Sequence, residues 1–554
     1  MNELLTIFHR HWRIGPGTSI LLLLVIGLVL APLAALVWIA FGDAGDVWPH
    51  LISTVLPRSI WTTIKLMLGV GSITLVIGVV TAWLVTMCRF PGKAIFEWAL
   101  LLPLAMPTYI VAYASVEIFD YTGPAQTFVR WVLDAKTSRD YWFPEIRSLP
   151  GAILVMSLVL YPYVYLTTRA SFLLQSACAL DVSRTLGAGP LRLFFSVAIP
   201  LARPAIAVGV TLALMECLND IGAVEFYGVK TLTFSVYDTW LNRSSLAGAA
   251  QIACVMLLVV FGLIWIERAG RKNQRFHVTS KRYQALPGYW LAGWRKWLAF
   301  FACLLPVALG FLMPSLVLVR SSILRYGDNF GPDFWSAMLN SFLLASFAAV
   351  LTAMLGVWLA YIERNNGAVI VKLATRIGAI GYAVPGTILA VGVLIPMAHL
   401  DGYINSTMKA LFGISTGLLI LGSGAALVYA YVIRFLTVSY GAGESGLGRV
   451  SVNLDAAART LGRTSFQTLC EIDLPMIRPA LISGALLVFV DVMKELPVTI
   501  LLRPFNFDTL ATLVYTQASL ESFENASFAA LSIVAVGIVP VILLARTTTR
   551  SYRL

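Results

Sequence analysis

One pattern occurs twice in this chain of 554 residues, and it constrains the fold more than any other feature. Residues 184–204 contain Arg184-Thr185-Leu186-Gly187, then Pro200 thirteen positions after the glycine, then Arg203-Pro204. Residues 459–479 contain Arg459-Thr460-Leu461-Gly462, then Pro475 thirteen positions on, then Arg478-Pro479. The offset is 275 throughout (462 − 187, 475 − 200). Both copies are polar stretches between long apolar runs. Pro107 and Pro385, and Gly78 and Gly356, extend the repeat at an offset of 278. The chain therefore reads as two homologous halves.

The runs between the repeats set the solvent. With 58% hydrophobic and 12% charged residues, the chain falls far below the ~25% charge of soluble domains. Twelve spans are expected, at about 18–41, 61–87, 95–119, 149–169, 205–226, 246–266, 297–319, 338–362, 374–398, 415–438, 480–502 and 527–545. Each reaches the roughly 20 residues that a bilayer-crossing helix needs. The fold class is an all-α polytopic membrane protein with about 12 transmembrane helices in two six-helix halves. No ladder of short alternating strands supports a β-barrel. The run Thr18–Phe41 is too long for a cleaved leader and reads as a retained first span.

The expected divisions are an N-terminal segment with the first helix (1–57), a first homologous domain (58–267) and a basic linker (268–296). A seventh helix with its outer loop (297–335), a second domain (336–546) and a tail (547–554) follow. Six spans return the chain to the same side, so the halves are a parallel repeat. Lys and Arg gather in the even-numbered loops, as in Arg89, Lys93, Arg169, Arg184, Arg268, Lys272, Arg434, Arg459 and Arg546. The positive-inside rule then makes both termini and both repeated loops cytoplasmic. The loop after span three runs against this rule, with Arg130, Lys136, Arg139 and Arg147.

The net charge of +12 is spread over short loops rather than along one face, which argues against a nucleic-acid partner. The six cysteines form no CxxC pair and read as small buried apolar residues. The five histidines are scattered, so no metal site follows from spacing. Gly441-Ala442-Gly443-Glu444-Ser445-Gly446 follows an apolar span rather than a strand, which removes a dinucleotide site. No GxxxxGK[ST] occurs, so ATP does not bind here through a P-loop. No nucleophile–base constellation is visible, and the chain does not read as an enzyme.

In the repeated loop, Leu454–Leu461 is helix-forming, Gly462 is a natural helix stop, and Pro475 and Pro479 suit a restarting helix. A second constellation is acidic. Glu216 and Asp220 stand four apart, and Asp491 and Glu495 repeat them at the offset of 275, with Lys494 between. Four apart is one face of a continuous helix. Counting from Pro204, Glu216 lies about 18 Å into a roughly 30 Å apolar layer. Ionisable groups at that depth face a cavity or a partner, so these five residues are candidates for a translocation path. Interhelical bonding, with Lys494 neutralising an acid, explains the same pattern. Pro107 and Pro385 are expected to kink spans three and nine.

The loop spacing resembles the EAA loop of permease subunits of binding-protein-dependent ABC importers. The second copy supplies Ala456-Ala457-Ala458, Gly462, Ile472, Leu474 and Pro475, and the first Asp181-Val182-Ser183, Gly187, Val197, Ile199 and Pro200. The first copy keeps an acid, Asp181, where the second has Ala456 with Asp455 one residue earlier. Residues 140–147, Tyr161–Tyr165, Lys494–Pro497 and Leu501–Thr512 look like the fused, double-length permeases of ferric iron importers.

The resemblance implies a type I ABC importer permease fold in a bacterial inner membrane. It implies two copies of a cytoplasmic ABC ATPase docked on the loops that contain Asp181, Arg184, Gly187 and Pro200, and Asp455, Ala456, Arg459, Gly462 and Pro475. It further implies a periplasmic solute-binding protein, with ATP and Mg on the ATPase and no cofactor on this chain. Thiamine and polyamine permeases share the loop. An ion-coupled secondary transporter, with the acids as ion sites, is the reading from another class.

Overall fold

A computed structural model describes residues 16–43, 45, 47–174, 189–271, 288–325, 331–366, 369–378, 381–448 and 450–551. Among them, eleven helices are long and apolar enough to cross a membrane, or twelve if one bent pair counts as a span. The chain is helical because a bilayer offers its backbone no other hydrogen-bonding partner. Hydroxyls obey the same constraint. Thr63, Thr74, Thr81 and Thr86 each donate to the carbonyl four residues earlier, at 2.6–2.7 Å.

The described residues fall into two compact units that do not coincide with the sequence halves. One combines Pro332–Thr512 with Met1–Gly45 and Thr239–Cys254. The other combines Asp46–Asp238 with Val255–Gly331 and Leu513–Leu554. Each half thus lends helices to the other half's unit. In the first unit the helix Pro16–Ala40 packs on Gly386–Phe412, where a Cβ on Gly392 would stand 2.2 Å from the Pro32 carbonyl oxygen. In the second unit a Cβ on Gly310, from the seventh span, would stand 2.4 Å from the Leu158 carbonyl oxygen, and one on Gly537 2.4 Å from that of Ala105.

Within each unit the repeat is visible at atomic level. Gly78 lies against Val164 and Tyr165, and its mate Gly356 lies against Ser439 and Tyr440. The Leu232 amide donates to Thr63 Oγ1 at 3.0 Å, and the Leu510 amide donates to Ser341 Oγ at 2.8 Å. π-helical turns at Phe194–Ala198 and Leu469–Asp473 share the offset of 275, each just before the helix that carries Pro200 or Pro475.

Four expectations need correction. Span three is not continuous: Lys93–Ala105 and Thr108–Leu133 are bent by 94°. Pro107 is not a kink within a helix but the residue before Thr108–Phe119, with φ −58° and ψ 140°. Pro385 does the same before Gly386–Phe412, so span nine is also interrupted. Proline fixes its own φ and pushes its predecessor out of helical geometry, which breaks rather than bends these segments. Spans five and eleven stop at Asn219 and Met493, and short helices Gly222–Phe226 and Pro497–Leu502 follow.

The close helix approaches yield a prediction. A Cβ on Gly356 would stand 2.6 Å from Ser439 C and Tyr440 N, and one on Gly78 2.6 Å from Val164 Cβ. Gly78→Val or Gly356→Val is expected to cost about 1–3 kcal/mol through overpacking. It is read as a lower unfolding temperature of the purified protein. Gly27→Val, with nothing within 4 Å, is the control expected to change little.

Candidate functional site

The second repeated loop folds from its own capping chemistry. Ser451 accepts a hydrogen bond from the Asn453 amide at the start of Val452–Thr460. Gly462 ends that helix at φ +81°, a conformation glycine adopts without strain. Thr464 and Gln467 then form a reciprocal capping box that starts Ser465–Thr468. Around the turn, Leu461 and Phe466 are 82% and 73% exposed. Ala456 and Pro475 are also exposed. The result is a short helix and turn with apolar side chains pointing away from the protein.

A buried ionic cluster fixes this loop to its own unit. Arg364 ends the helix Pro332–Asn365. Its guanidinium lies 3.1 Å from Asp455 Oδ2 and 3.5 Å from Asp473 Oδ1. It also donates to the Leu447 and Val450 carbonyls, each at 3.1 Å. Tyr361 donates to the Ser465 carbonyl at 2.6 Å, and Arg459 donates to Asn365 Oδ1 at 3.2 Å. Sequence reasoning had placed Asp455 in the loop but missed Arg364 as its partner. In the first loop, Asp181, Arg184 and Gly187 lie outside the described residues, and Pro200 starts Ile199–Asn219 half-buried. Leu180 and Ala198 stand there at the positions of Asp455 and Asp473.

The acidic pairs do not share helix faces, which corrects the second expectation about them. Helix Ile199–Asn219 ends one residue before Asp220. Asp220 is buried, accepts from the Thr108 hydroxyl and accepts from the Ala223 amide at 2.9 Å. It caps Gly222–Phe226 and ties it to the break after Pro107. Glu495 plays the matching part. It accepts from the Val498 amide at 3.1 Å and the Thr499 amide at 3.2 Å, capping Pro497–Leu502.

Glu495 also pairs with Arg434 at 3.0 Å, and both are buried. Gly386, the repeat mate of Thr108, leaves room for this pair, because a Cβ there would lie 2.3 Å from Arg434 Nη1. Arg434 therefore lies within the helix Ala425–Leu447 and is not one of the loop charges. Arg169 is likewise inside a helix, 3.7 Å from Glu97. Asp491 and Lys494 pair with each other at 2.9 Å. Glu216 is half-buried.

The loop after span three also resolves. Arg130 donates to the Tyr121 carbonyl at 2.8 Å and stacks on the Tyr121 ring. Arg147 reaches Asp120 and Glu521. The Thr137 and Lys136 amides hold the Asp140 carboxyl below its ordinary range. Cys88 is buried, and burial pushes its thiol up to about 11, so it is inert at neutral pH. Cys470 is exposed and Cys178 lies outside the described residues. Among the described residues, no group of three His, Cys, Asp or Glu gathers as a metal site.

Residues 74–272 match the family described as binding-protein-dependent transport system inner membrane component. Over these residues the chain is a permease domain of such a transport system. An Fe(3+)-transport system permease protein of Haemophilus influenzae is 26% identical to the permease over 484 residues, covering 86% of each chain. A ferric transport system permease protein of Actinobacillus pleuropneumoniae is 22% identical, over 92% of this chain and 74% of its own. A molybdenum transport system permease protein of Escherichia coli is 28% identical over 228 residues, 96% of its length but only 38% of this one. The permease is thus a double-length inner-membrane subunit, and a single-length relative matches less than half of it.

The ionic cluster makes a prediction. Arg364→Met leaves two buried carboxylates without their cation and is expected to cost about 3–5 kcal/mol. Adding Asp455→Asn and Asp473→Asn is expected to restore much of the lost thermal stability. A triple variant no more stable than Arg364→Met would contradict the pairing.

Proposed function

We propose that this permease imports ferric iron across the bacterial inner membrane, driven by ATP hydrolysed on separate subunits. The observation that carries the cargo is the extent of the likeness. Two relatives named for ferric transport match this chain through both halves, whereas the molybdenum permease matches one. The cargo arrives on a periplasmic binding protein. Two cytoplasmic ATPases, which hold the ATP and Mg, dock on the loops around Gly187 and Gly462. Both termini lie on that cytoplasmic side.

The physical basis for coupling is the second loop. It presents Leu461 and Phe466 outward while Arg364 and Tyr361 anchor it to a long membrane helix. A rigid anchor with an apolar tip converts movement of a docked domain into movement of the helix. Alternating access then follows as rigid-body rocking of packed helices. The first loop carries Leu180 and Ala198 at the positions of Asp455 and Asp473, with its acid, Asp181, one residue later, so the two ATPase contacts are unequal. Glu216 and Asp491 are the acids left to line the path, since Asp220 and Glu495 are engaged as helix caps.

Labelled ferric uptake tests this in cells expressing the whole system. Wild type is expected to accumulate iron, and Gly187→Arg/Gly462→Arg to lose uptake while still inserting. Equal uptake in both would sink the coupling argument. Uptake of molybdate rather than iron by wild type would overturn the cargo.

A further inference from the structure

Within the second unit, Tyr237 and Tyr515 are repeat mates at the offset of 278, and their hydroxyls meet at 3.3 Å. Tyr515 also donates to Glu225 Oε2 at 2.6 Å. Tyr515 is buried, and Tyr237 and Glu225 are half-buried. Asp238, next to Tyr237, is close enough to act electrostatically on Glu225. Mates in a two-fold repeat touch only on the axis that relates them. Glu225 and Tyr515 line a cavity of about 220 Å³ together with Tyr113, Phe226, Arg147 and Glu521, and Tyr237 joins them through the Tyr515 hydroxyl. Arg147 and Glu521 are exposed at its rim and pair with each other, so the rim cation is compensated before the inner carboxylate is reached.

We propose that Tyr237, Tyr515 and Glu225 form a transient ferric receiving site, the first protein ligands the cargo meets beyond the rim. This rests on the ferric reading of the cargo. The donor chemistry fits a small hard cation, which takes anionic oxygen ligands. The spacing fits as well. An octahedral ion with metal–oxygen distances of about 2.0–2.1 Å holds adjacent oxygens roughly 2.9 Å apart. The two observed separations, 2.6 and 3.3 Å, bracket that value. Ligation displaces the two phenol protons to water through the cavity mouth and breaks the Tyr237–Tyr515–Glu225 chain. The same three residues therefore form a closed latch without the ion and an open ligand set with it.

The test uses purified full-length permease titrated with ferric citrate, together with labelled iron uptake by the whole system. Wild type is expected to develop the visible phenolate-to-iron charge-transfer absorption, which carboxylates alone do not give. Tyr237→Phe/Tyr515→Phe is expected to lose both the band and uptake. Glu225→Gln is expected to weaken both, with unfolding temperatures unchanged. A band that persists in the double tyrosine variant, or uptake equal to wild type there, overturns the site and leaves the ferric cargo standing. Wild-type cells that take up no iron overturn both. If the double variant is poorly folded, Tyr237→Phe alone decides by the same two readouts, because Tyr237 is half-exposed.

Discussion

A backbone inside a bilayer must satisfy its own hydrogen bonds, and the places where this chain leaves the helix show how it does so. After Asn219 and after Met493 the ladder stops in an apolar run. In each case a buried acid, Asp220 or Glu495, takes up the free amides of the next short helix. These acids are costly at that depth, and the breaks could not persist without them. They also reach sideways to the breaks after Pro107 and Pro385. Each pair of interruptions is thus one joint rather than two.

The halves solve this joint differently. In the first, Thr108 reaches Asp220 and the position of Arg434 is occupied by buried Val159. In the second, Gly386 removes a side chain, and Arg434 enters to meet Glu495. The loops diverge in the same direction. The second is held by a buried Arg–Asp–Asp cluster, while the first has Leu180 and Ala198 in place of the acids. A fused chain can hold such differences because each half is always in its own place. Two copies of one single-length subunit could not.

Much of this was legible in the sequence. The duplicated Gly–Pro spacing and the apolar runs gave the two halves and the helical class. The helix-forming run before Gly462, and the glycine itself, gave the short helix and its turn. Other features carried misleading signals. Glu216 and Asp220 read as one helix face because the breaker at that end, Gly222, comes two residues after Asp220. Pro497, at the first turn of a new helix, did mark the end near Glu495, but four-residue spacing outweighed it. Arg434 and Arg169 looked like loop charges because an arginine near a predicted span end is most often there. Their partners lie 61 and 72 residues away (495 − 434, 169 − 97), and pairing at that distance is set by packing. The paired π-helical turns leave no compositional trace.

The claim on which the account turns is that the exposed tip of the second repeated loop meets a cytoplasmic ATPase. Site-directed cross-linking measures this most directly. In a variant lacking the six native cysteines, Leu461→Cys is treated with a short bifunctional thiol reagent in membranes that contain the whole transport system. The account predicts a covalent adduct with a P-loop ATPase subunit whose yield changes when nucleotide is trapped, and none from Trp142→Cys in the opposite loop. An adduct with the ATPase from Trp142→Cys, and none from Leu461→Cys, would contradict it.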